Sequence, residues 1–381
     1  MCTRTFNLCA KTYSLPQKSN FRFGIDMDIG KNIRIKDIAK LAGVSVGTVD
    51  RVLHNRGRVS DDALKKVTAV MNQIDYKPNL IARTLGSNKN YRIVALIPDP
   101  TLDPYWAQSN LGIIQGQTEW AQYGVVVDTF AFDLYNKDSF HRLALEVAEQ
   151  KPDGIVLAPI FYHESLPAFE LFKRQGIPYV IFNTNIHEAQ PLAFIGQNLN
   201  QSGRIGAQLM MLGQRDPGTY AVLHIDEDVQ DSVHLLEKEK GFRDYFAEKS
   251  RTKYEILDYN LNPHKDSFKG QMMQLLDNAS LKGIFISTSK GTAVAASFVE
   301  SHGKNDIRVI GYDILQDNLK YLRSGAIDFL INQNPKRQAL LGISHLVNHL
   351  MFKKTAPTLD LFPLEIITQQ NVDSYLGSGI H

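Results

Sequence analysis

The stretch VSVGTVDRVLHNRGRVS, residues 44–60, has the pattern of a short helix that becomes basic beyond its start. Val49, Val52 and Leu53 are spaced as i, i+3 and i+4, which predicts one buried face. The opposite face has no large apolar side chain and includes Gly47, although glycine costs a helix about 1 kcal/mol relative to alanine. Such a helix is suited to a close approach to a polyanion.

Two further helical patterns flank this helix. Residues 35–42 predict a first helix, and residues 43–45 predict a tight turn in which Ser45 is a good N-cap for the second helix. Ser60 is predicted to cap a third helix that runs to about Ile74, with acidic residues in its first turn. Two helices joined by a short turn containing glycine form the helix-turn-helix unit, whose second helix lies in the DNA major groove.

The charge of the chain is unevenly distributed. Residues 1–92 contain 17 Lys and Arg against 7 Asp and Glu, a balance of +10, whereas residues 93–381 contain 25 against 33, a balance of −8. A basic head on an acidic body indicates a polyanionic partner for the head alone. On charge alone, a solvated basic tail is an equally good interpretation.

Composition excludes several classes of protein. No apolar run approaches the roughly 18 to 20 residues that a membrane-spanning helix needs, and residues 1–18 lack the apolar core of a secretory signal. Cys2 and Cys9 are the two cysteines of the chain, so a disulfide framework, a thiolate metal site and a cysteine nucleophile are excluded from the folded part. We expect a cytoplasmic protein with no membrane segment.

The sequence gives no sign of catalysis. It lacks a G-x-S-x-G elbow, a P-loop, an H-E-x-x-H motif and a G-x-G-x-x-G motif after a predicted strand. His345 and His349 are four residues apart in a predicted helix but lack a nearby acidic partner, which favours core or surface positions over a metal site. We expect no catalytic residue, no cofactor and no metal.

From Ile93 onward, apolar runs alternate with amphipathic helical patterns. The runs are RIVALIP, GVVVDTFAF, DGIVLAP and PYVIF, followed, after a crossover near residues 187–199, by TYAVLHI, YEILDY, GIFIS and RVIGY. Continuous apolar strands separated by helices indicate parallel sheets covered on both faces, and two sets indicate two similar lobes. A last helix at about residues 335–352 and a terminal strand, FPLEIIT, complete an α/β body.

The head resembles a known family. The motif IKDIAKLAGVSVGTVDRVLHNRGRVS…YKPNLIARTLG is similar to the head of the LacI (lactose repressor) family, whose pattern is close to DVA..AGVS..TVSRVLN…V…Y.PN..AR.L. The match extends over about 55 positions at fixed spacing, which makes it far more specific than a helix-turn-helix pattern alone. The resemblance implies a DNA-binding transcriptional regulator.

The resemblance also implies roles for residues of the second helix and the segment after it. Val46, Gly47 and Arg51 would contact bases, and Arg51 can bond guanine O6 and N7 with its two-pronged head group. Core packing is the alternative for Val46, and helix capping alone is the alternative for Ser45. The residues assigned to DNA contact are Ser45, Val46, Gly47, Thr48, Arg51, His54, Asn55 and Leu85.

Two residues of the head depart from the family pattern. Asp50 replaces the usual serine, and its carboxylate would either accept from a cytosine N4 or, as we favour, pair with a neighbouring arginine. Arg34 replaces the usual threonine cap of the first helix, so that cap is predicted to be missing. The stretch MDIGKNIRIKDIA begins like a normal family head, so we expect the natural start at Met27.

These patterns divide the chain into four parts. We assign an extension that is disordered or untranslated, a helix-turn-helix head, a hinge helix with a linker, and a two-lobed body for effector binding and dimerisation. Their respective bounds are residues 1–30, 31–77, 78–90 and 91–381.

The body resembles the two-lobed periplasmic sugar-binding proteins, in which loops at strand ends converge on a ligand between the lobes. The loop PDPTLDPYW is similar to the NNPFF loop of ribose-binding relatives, with Tyr105 and Trp106 at the aromatic positions. Asp313 matches the aspartate of a GFD motif, and Gln333 matches the glutamine of an AQ.P motif. The residues assigned to the effector are Asp99, Asp103, Tyr105, Trp106, Asn183, Lys238, Thr288, Asp313 and Gln333.

Each assignment in the body has a structural alternative. Packing at a helix start would explain Tyr105 and Trp106, turn capping would explain Asp313, and backbone bridging would explain Gln333. The pocket also departs from the ribose binders, which have arginines where this chain has Thr184 and Lys238. A sugar pocket is therefore expected, without the arginines that usually accompany it.

These observations favour a ligand-controlled transcriptional regulator. It would be a homodimer on double-stranded operator DNA, with a small-molecule effector, a carbohydrate, between its lobes; the same head serves repressors and activators. The alternative is a solute-binding protein of a sugar transporter, which would need export, and neither the N-terminus nor the basic head fits that. An enzyme on an α/β scaffold is a third interpretation, and turnover of a candidate sugar would favour it.

The segment NLIARTLG, residues 79–86, is about eight residues long, which is too short for a stable isolated helix in water. By resemblance to the family hinge, we expect it to be helical only when two copies pack together on DNA. Leu85 would then insert between base steps from the minor groove and kink the duplex. Packing of Leu85 under the body is the other interpretation.

Leu85→Ala is therefore expected to leave the melting temperature unchanged, to lower operator affinity about tenfold or more and to abolish DNA bending, because the wedge supplies the kink. Titration gives the affinity, and FRET between dyes at the two operator ends gives the bend. A variant that still bends its operator fully would contradict this account. Under the packing alternative, the melting temperature falls and operator affinity is intact.

Overall fold

The computed structural model describes residues 34–54, 57–74, 89–214, 216–227, 229, 232–248, 254–304 and 306–376. By internal contacts the chain divides into two compact units, Met1–Asn79 and Leu80–His381. Among the helices of these ranges, none is long and apolar enough to cross a membrane. The predicted N-terminal extension, the hinge helix, Asn55, Leu85 and the side chain of His54 lie outside the described residues.

The first unit contains the three predicted helices: α1 (Ile35–Ala42), α2 (Val46–His54) and α3 (Asp61–Gln73). Their apolar faces form one small core of buried side chains, which are Ile38, Ala39, Ala42, Val49 and Val67. Gly43 ends α1 with φ +64°, a left-handed conformation that glycine adopts without strain, so the predicted tight turn is confirmed.

The helix caps of this unit follow the sequence closely. Ser60 Oγ accepts from the Ala63 N–H at 3.4 Å, as predicted for the N-cap of α3. The Arg34 side chain makes no capping hydrogen bond, as predicted from its replacement of the family threonine. Asp37 compensates in part, because its carboxylate accepts from the Arg34 N–H at 2.9 Å.

The second unit has two lobes, each built on a six-stranded sheet. Lobe 1 has the strand order β2-β1-β3-β4-β5-β11, and all its strand pairs are parallel. Its strands are β1 (Tyr91–Pro98), β2 (Val125–Phe132), β3 (Gly154–Leu157), β4 (Tyr179–Phe182), β5 (Ala193–Gly196) and β11 (Leu359–Leu361). Its helices are α4 (Pro104–Ala121), α5 (Lys137–Glu149), α6 (Tyr162–Gln175) and α12 (Pro335–Phe352), with a 3-10 turn at His187–Ala189.

Lobe 2 repeats this arrangement with the strand order β7-β6-β8-β9-β10-β12, in which β12 is antiparallel to β10. Its strands are β6 (Gly218–Ile225), β7 (Tyr254–Leu261), β8 (Leu281–Ile286), β9 (Arg308–Tyr312), β10 (Phe329–Asn332) and β12 (Glu365–Ile367). Its helices are α7 (Leu199–Met210), α8 (Val233–Glu248), α9 (Ser267–Leu276), α10 (Ser289–Ser301), α11 (Gln316–Ser324) and α13 (Val372–Leu376).

The two-lobed α/β architecture predicted from the apolar runs is confirmed, and the eight quoted runs form β1 to β4 and β6 to β9. The last helix has the predicted bounds, Pro335–Phe352. Three strands were not predicted: β5 lies inside the expected crossover, and β10 and β11 have four and three residues. Such short segments give no periodicity, and only their neighbours in the sheet define them as strands.

The chain passes between the lobes three times, after β5, after β10 and between β11 and β12. One side chain holds the three passages together. Gln197, on the first passage, donates from Nε2 to the Asn332 carbonyl at 2.8 Å and to the Pro363 carbonyl at 3.1 Å. Since Gln197 is 4% exposed, these hydrogen bonds form away from water and fix the three passages at one point.

Lobe 1 depends on a close approach of α4 and α12. A Cβ added to Gly112 of α4 would lie 2.0 Å from the Lys336 carbonyl oxygen of α12. One turn later, a Cβ on Gly116 would lie 3.1 Å from Cβ of Ile343. The glycines therefore allow the two helix backbones to pack in direct contact, and the strand ends of lobe 1 are positioned by that packing.

Gly112→Ala is expected to destabilise the protein by about 1 to 3 kcal/mol, which is the usual cost of overpacking. The neighbouring atoms belong to the backbone of α12, so they cannot move away by a change of side-chain rotamer. Gly270→Ala is the matched control, since no atom lies within 4 Å of a Cβ at this position in α9. The control should gain up to about 1 kcal/mol from helix propensity. Urea unfolding of the full chain measures both, and equal stability of the two variants would contradict the packing argument.

Candidate functional site

The facing strand ends of the two lobes enclose a small cavity, called the inner cavity below. Its volume is about 20 Å³, room for about one water molecule. Its lining consists of Asp103, Tyr105, Trp106, Asn183, Glu227, His234, Lys238, Ser287, Thr288, Ser289, Lys290 and Gln333. The structure thus brings seven of the nine predicted effector residues to one place, all of them except Asp99 and Asp313.

The side of the inner cavity formed by lobe 1 is aromatic. Asp103 caps α4 by accepting from the Tyr105 N–H at 2.8 Å, which places Tyr105 and Trp106 in the first turn of the helix, with ring centroids 4.9 Å apart and the planes nearly perpendicular. Asn183, after β4, donates from Nδ2 to the Tyr105 hydroxyl at 2.6 Å. Burial raises the pKa of Tyr105 well above its usual value, so the hydroxyl keeps its proton as a donor.

Asp313 lies behind the cavity wall, which corrects its predicted position as a lining residue. Its Oδ2 accepts from Ser289 Oγ at 2.5 Å and from Gln333 Nε2 at 2.7 Å, and its Oδ1 accepts from the Gln333 N–H at 2.7 Å. Burial raises the pKa of Asp313, and these hydrogen bonds and the charge of Lys238 oppose the rise. Asp313 therefore positions two residues that do line the cavity.

Lys238 is a buried cation in the wall of lobe 2. Its Nζ lies 3.7 Å from the centroid of the Tyr312 ring and donates to the Ser287 carbonyl at 2.9 Å. Burial lowers its pKa to about 8, against the opposing charges of Asp313 and Glu227. Lys238 is therefore mainly protonated at neutral pH.

Ser287, next to Lys238, belongs to a buried chain of hydrogen bonds. His224 Nδ1 lies 2.7 Å from Ser287 Oγ, and His224 Nε2 lies 2.7 Å from Glu239 Oε2. The hydrogen bond of His224 is the main cause that lowers the pKa of Glu239 to about 2. Ser287 Oγ also lies 3.2 Å from the Leu223 carbonyl, so its one hydroxyl proton can be donated either to His224 Nδ1 or to this carbonyl. The serine is thus held in place as part of the wall.

At the mouth of the cleft, Tyr135 of lobe 1 contacts two residues of lobe 2. Its hydroxyl donates to Asp226 Oδ2 at 2.8 Å and accepts from Lys290 Nζ at 3.3 Å. Lys290 Nζ also lies 2.6 Å from the same Asp226 oxygen. We call these three residues the latch; the lobes are closed in this structure.

A larger space of about 420 Å³, called the outer chamber below, also lies between the lobes. Lobe 1 contributes Tyr135 and Lys137 together with Leu134, Ile160 and Phe161, and lobe 2 contributes mainly amides, hydroxyls and charged groups. Asp226 and Tyr135 of the latch line this chamber, and Glu227 lines both the chamber and the inner cavity. The volume falls within the range of small-molecule sites, about 300 to 1,000 Å³.

Asp99, also predicted to bind the effector, is not among the residues that line the inner cavity. Its Oδ1 accepts from the Thr101 N–H at 2.8 Å and from the Thr101 hydroxyl at 2.7 Å, which closes the turn after β1. Five lining residues were not predicted from the sequence: Glu227, His234, Ser287, Ser289 and Lys290. Most of them follow the carboxyl ends of β6 and β8, and that position alone could have identified them.

The predicted isolation of His345 is wrong. His345 of α12 lies with Nε2 2.8 Å from Asp360 Oδ2 of β11, a partner that only the fold brings close. No group of three or more His, Cys, Asp or Glu that could hold a metal ion occurs among the described residues.

In the head, four of the eight predicted DNA-contact residues, which are Ser45, Val46, Gly47 and Arg51, are exposed. Val46 is 51% exposed, so core packing, the alternative for this residue, does not apply. Ser45 Oγ accepts from the Thr48 N–H at 3.1 Å, which is the capping role, and it remains exposed together with Gly47 and Arg51. Among the described residues outside its own turn, a Cβ on Gly47 would contact Ser45 Oγ alone, at 3.9 Å. The backbone at the start of α2 is therefore exposed at this glycine.

Comparison with known proteins gives matches for both units. Residues 34–79 match the family model of bacterial regulatory proteins, lacI family, and residues 94–354 match that of a periplasmic binding protein domain. The HTH-type transcriptional regulator MalR of Streptococcus pneumoniae is 29% identical over 164 residues, 42% of this chain, and the alignment spans about half of that relative, 48%.

Other matches extend over more of the chain. The sucrose operon repressor of Streptococcus mutans is 23% identical over 353 residues, 89% of this chain and 99% of the relative. The crystal structure of a putative LacI transcriptional regulator from Bacteroides fragilis has a TM-score of 0.71 and 29% identity, covering 75% of this chain and all of the other. The relatives named here are transcriptional regulators, a class that is not enzymatic.

Arg51→Ala is expected to weaken binding to the preferred DNA sequence by about 1 to 3 kcal/mol and to relax the preference at one base position, because a bidentate base contact is lost. Lys65→Ala, on α3, is the matched control; it should weaken all sequences alike, as loss of a phosphate contact does. Titration of randomised sites with both variants distinguishes the roles. Equal loss on every sequence from Arg51→Ala would show that its role is electrostatic only.

Proposed function

Because the chain belongs to the LacI family of bacterial regulatory proteins, with a periplasmic-binding-protein-like body, we propose that it binds operator DNA as a homodimer and that a sugar held between its lobes controls this binding. The chain is a DNA-binding transcriptional regulator by family. The dimer, the sugar, the assigned contact residues and a cytoplasmic location are the parts that we add.

The head supports a dimer on DNA. The exposed face formed by Ser45 to Gly47 and Arg51 offers few side chains for base edges, too few for useful specificity from one copy. Two heads would bind a near-palindrome whose half-sites are about 10 bp apart. The affinity of the dimer for this DNA should fall steeply with salt. The slope of log K against log salt concentration should be about −0.9 for each phosphate neutralised.

The observation that carries the sugar proposal is the lining of the inner cavity. Tyr105 and Trp106 supply an aromatic surface, and Asn183, Thr288 and Gln333 supply hydrogen-bonding groups in the same cavity. A sugar ring has apolar C–H faces and hydroxyl edges, so it matches a site of this composition. Since the cavity has a volume of about 20 Å³ in the closed structure, a ring enters when the lobes part.

The alternative, a solute-binding protein of a sugar transporter, is not favoured. Residues 34–79 match the DNA-binding model of the lacI family, and a transporter component has no use for such a head. The relatives in which both parts are aligned are named as regulators or operon repressors.

The test combines ligand binding with operator binding. A thermal-shift screen of the full chain against sugars identifies the ligand, because a ligand at 100 times its Kd adds about 2.7 kcal/mol to stability. Trp106→Ala and Asp313→Ala should then weaken ligand binding by about 1 to 3 kcal/mol, since they remove the ring contact or leave donors of the site unpaired. Both variants should still bind operator but no longer respond to the ligand.

Asp99→Ala is the matched control, because its carboxylate bonds only within its own loop among the described residues. It should retain both ligand affinity and operator response. Unchanged ligand affinity in both Trp106→Ala and Asp313→Ala would place the binding site elsewhere.

A further inference from the structure

The charges around the inner cavity do not balance. Four carboxylates lie in or directly behind its wall, those of Asp103, Asp226, Glu227 and Asp313, against two ammonium groups, those of Lys238 and Lys290. Counted over these carboxylates and ammonium groups alone, four negative and two positive charges leave an excess of two negative charges. An excess of charge in a closed, poorly hydrated site is costly unless a partner of opposite charge is supplied.

Two of the carboxylates are already matched by cations. Asp226 lies 2.6 Å from Lys290 Nζ. Asp313 and Lys238 stabilise each other electrostatically, and both Asp313 oxygens also accept hydrogen bonds from Ser289 or Gln333. The other two carboxylates form no ion pair with a lysine or arginine among the described residues, and one of them, Glu227, shares the charge of Lys238 with Asp313, so the excess charge lies mainly on these two.

Asp103 and Glu227 are those two. The hydrogen bond that Asp103 accepts comes from the uncharged Tyr105 N–H. Glu227 Oε2 lies 2.8 Å from His234 Nε2. Because a carboxylate can only accept, His234 donates from Nε2, and in a neutral imidazole the other nitrogen, Nδ1, is then an acceptor.

The Nδ1 atom of His234 is an independent sign of a ligand. His234 lines the inner cavity, is 7% exposed, and its Nδ1 is buried with no hydrogen-bond partner. Buried polar atoms without a partner are rare, because each one costs the free energy of its lost hydration. The cavity therefore offers three acceptor groups, Asp103, Glu227 and His234 Nδ1, in a space of about 20 Å³.

A protonated primary amine fits this set. It has three N–H donors, no acceptor and one positive charge, and an ammonium group is about the size of one water molecule, which is the room available in the inner cavity. A hydroxyl would satisfy the geometry but not the charge, and a carboxylate or phosphate would add to the excess.

We propose that the ligand controlling this protein carries a protonated amine, seated between Asp103, Glu227 and His234, so that amino sugars are bound in preference to neutral and acidic sugars. This inference rests on the proposed function, because it uses the cleft as the effector site.

The binding should depend on pH in a defined direction. Burial, followed by the charge of Glu227, raises the pKa of Asp103 to about 6, although the hydrogen bond from the Tyr105 N–H and the charge of Lys290 oppose the rise. An ammonium group binds the ionised carboxylate, so affinity should rise as Asp103 loses its proton between pH 5 and pH 6.5, where the amine remains protonated. Lys238, Asp313 and His234 are the other titratable groups around the cavity.

Calorimetric titration of the full chain with three matched sets tests the proposal. The sets are glucosamine, glucose and glucuronate, and the corresponding galactose and mannose series. We expect the amino sugar of at least one set to bind about tenfold or more tightly than its neutral parent, a difference of about 1.4 kcal/mol, with the uronate of that set bound most weakly. Amino-sugar affinity should increase from pH 5 to pH 6.5.

Asp103→Asn removes the charge but keeps the cap of α4, because asparagine caps a helix as well as aspartate does. It should reduce the preference for the amino sugar to near unity and weaken the pH dependence of amino-sugar affinity. Glu227→Gln should also reduce the preference. Asp99→Asn is the matched control; it makes the same substitution in the same loop, outside the cavity, and should change nothing.

The outcomes separate this inference from the proposed function. Binding of neutral sugars as tightly as their amino derivatives, or of uronates more tightly, would overturn the amine proposal and leave the sugar effector standing. If both Asp103→Asn and Glu227→Gln retain the preference for the amino sugar, the amine does not bind between Asp103, Glu227 and His234, and the proposed position of the amine is wrong. If no sugar of any set binds while the operator is still bound, the sugar effector itself is wrong, and the amine proposal is overturned with it.

Discussion

Each sheet of the body is covered on both faces, and this constraint determines where polar chemistry can occur. The central strands are almost wholly buried; β1, β3 and β8, for example, are apolar along nearly their whole length. Polar side chains can therefore emerge only where a parallel strand ends, and in each sheet all the parallel carboxyl ends lie on one edge. Two such edges face each other, so residues that follow β1, β4, β6, β8 and β10 converge on one cavity.

The three passages between the lobes hold the strand ends of the two sheets facing each other. Gln197 bonds to carbonyls of the other two passages, and Gln333, immediately after β10, is part of the cavity wall. A change in the angle between the lobes must therefore be accommodated within a few residues of the inner cavity. A ligand that contacts both lobes there can therefore favour one angle between the lobes over another, and the whole body changes with that angle.

Much of the fold could be predicted from the sequence, because its signals are local. The continuous apolar runs predict the central strands, and the pattern from Ile35 to Ser60 predicts the helices of the head and their caps. The loop that contains Tyr105 and Trp106 was predicted at the site because a strand end and a helix start are both visible in the sequence. Short edge strands such as β11 have no such signal, since their definition depends on a neighbouring strand.

The same distinction explains the errors at the site. Asp99 and Asp103 are equivalent by position in one loop, and only the folded turn shows that Asp99 bonds to Thr101 whereas Asp103 borders the cavity. The Asp360 partner of His345 lies 15 residues away in the sequence. His234 was missed because it lies on α8 and reaches the cavity only through the packing of lobe 2. In each case the deciding contact is tertiary.

The latch has a consequence for how a ligand can act. Opening the cleft at its mouth breaks the two contacts of Tyr135, whereas the ion pair of Lys290 with Asp226 lies wholly within lobe 2 and persists. No charge is left unpaired by opening, so the open state costs about the hydrogen bonds that Tyr135 makes to charged groups, roughly 1.5 to 3 kcal/mol each. A ligand that requires the open state has its apparent affinity reduced by the fraction of open molecules. Once a ligand is inside, its contacts with both lobes can take the place of those of Tyr135 and favour closure again, so that ligand binding and lobe closure are coupled.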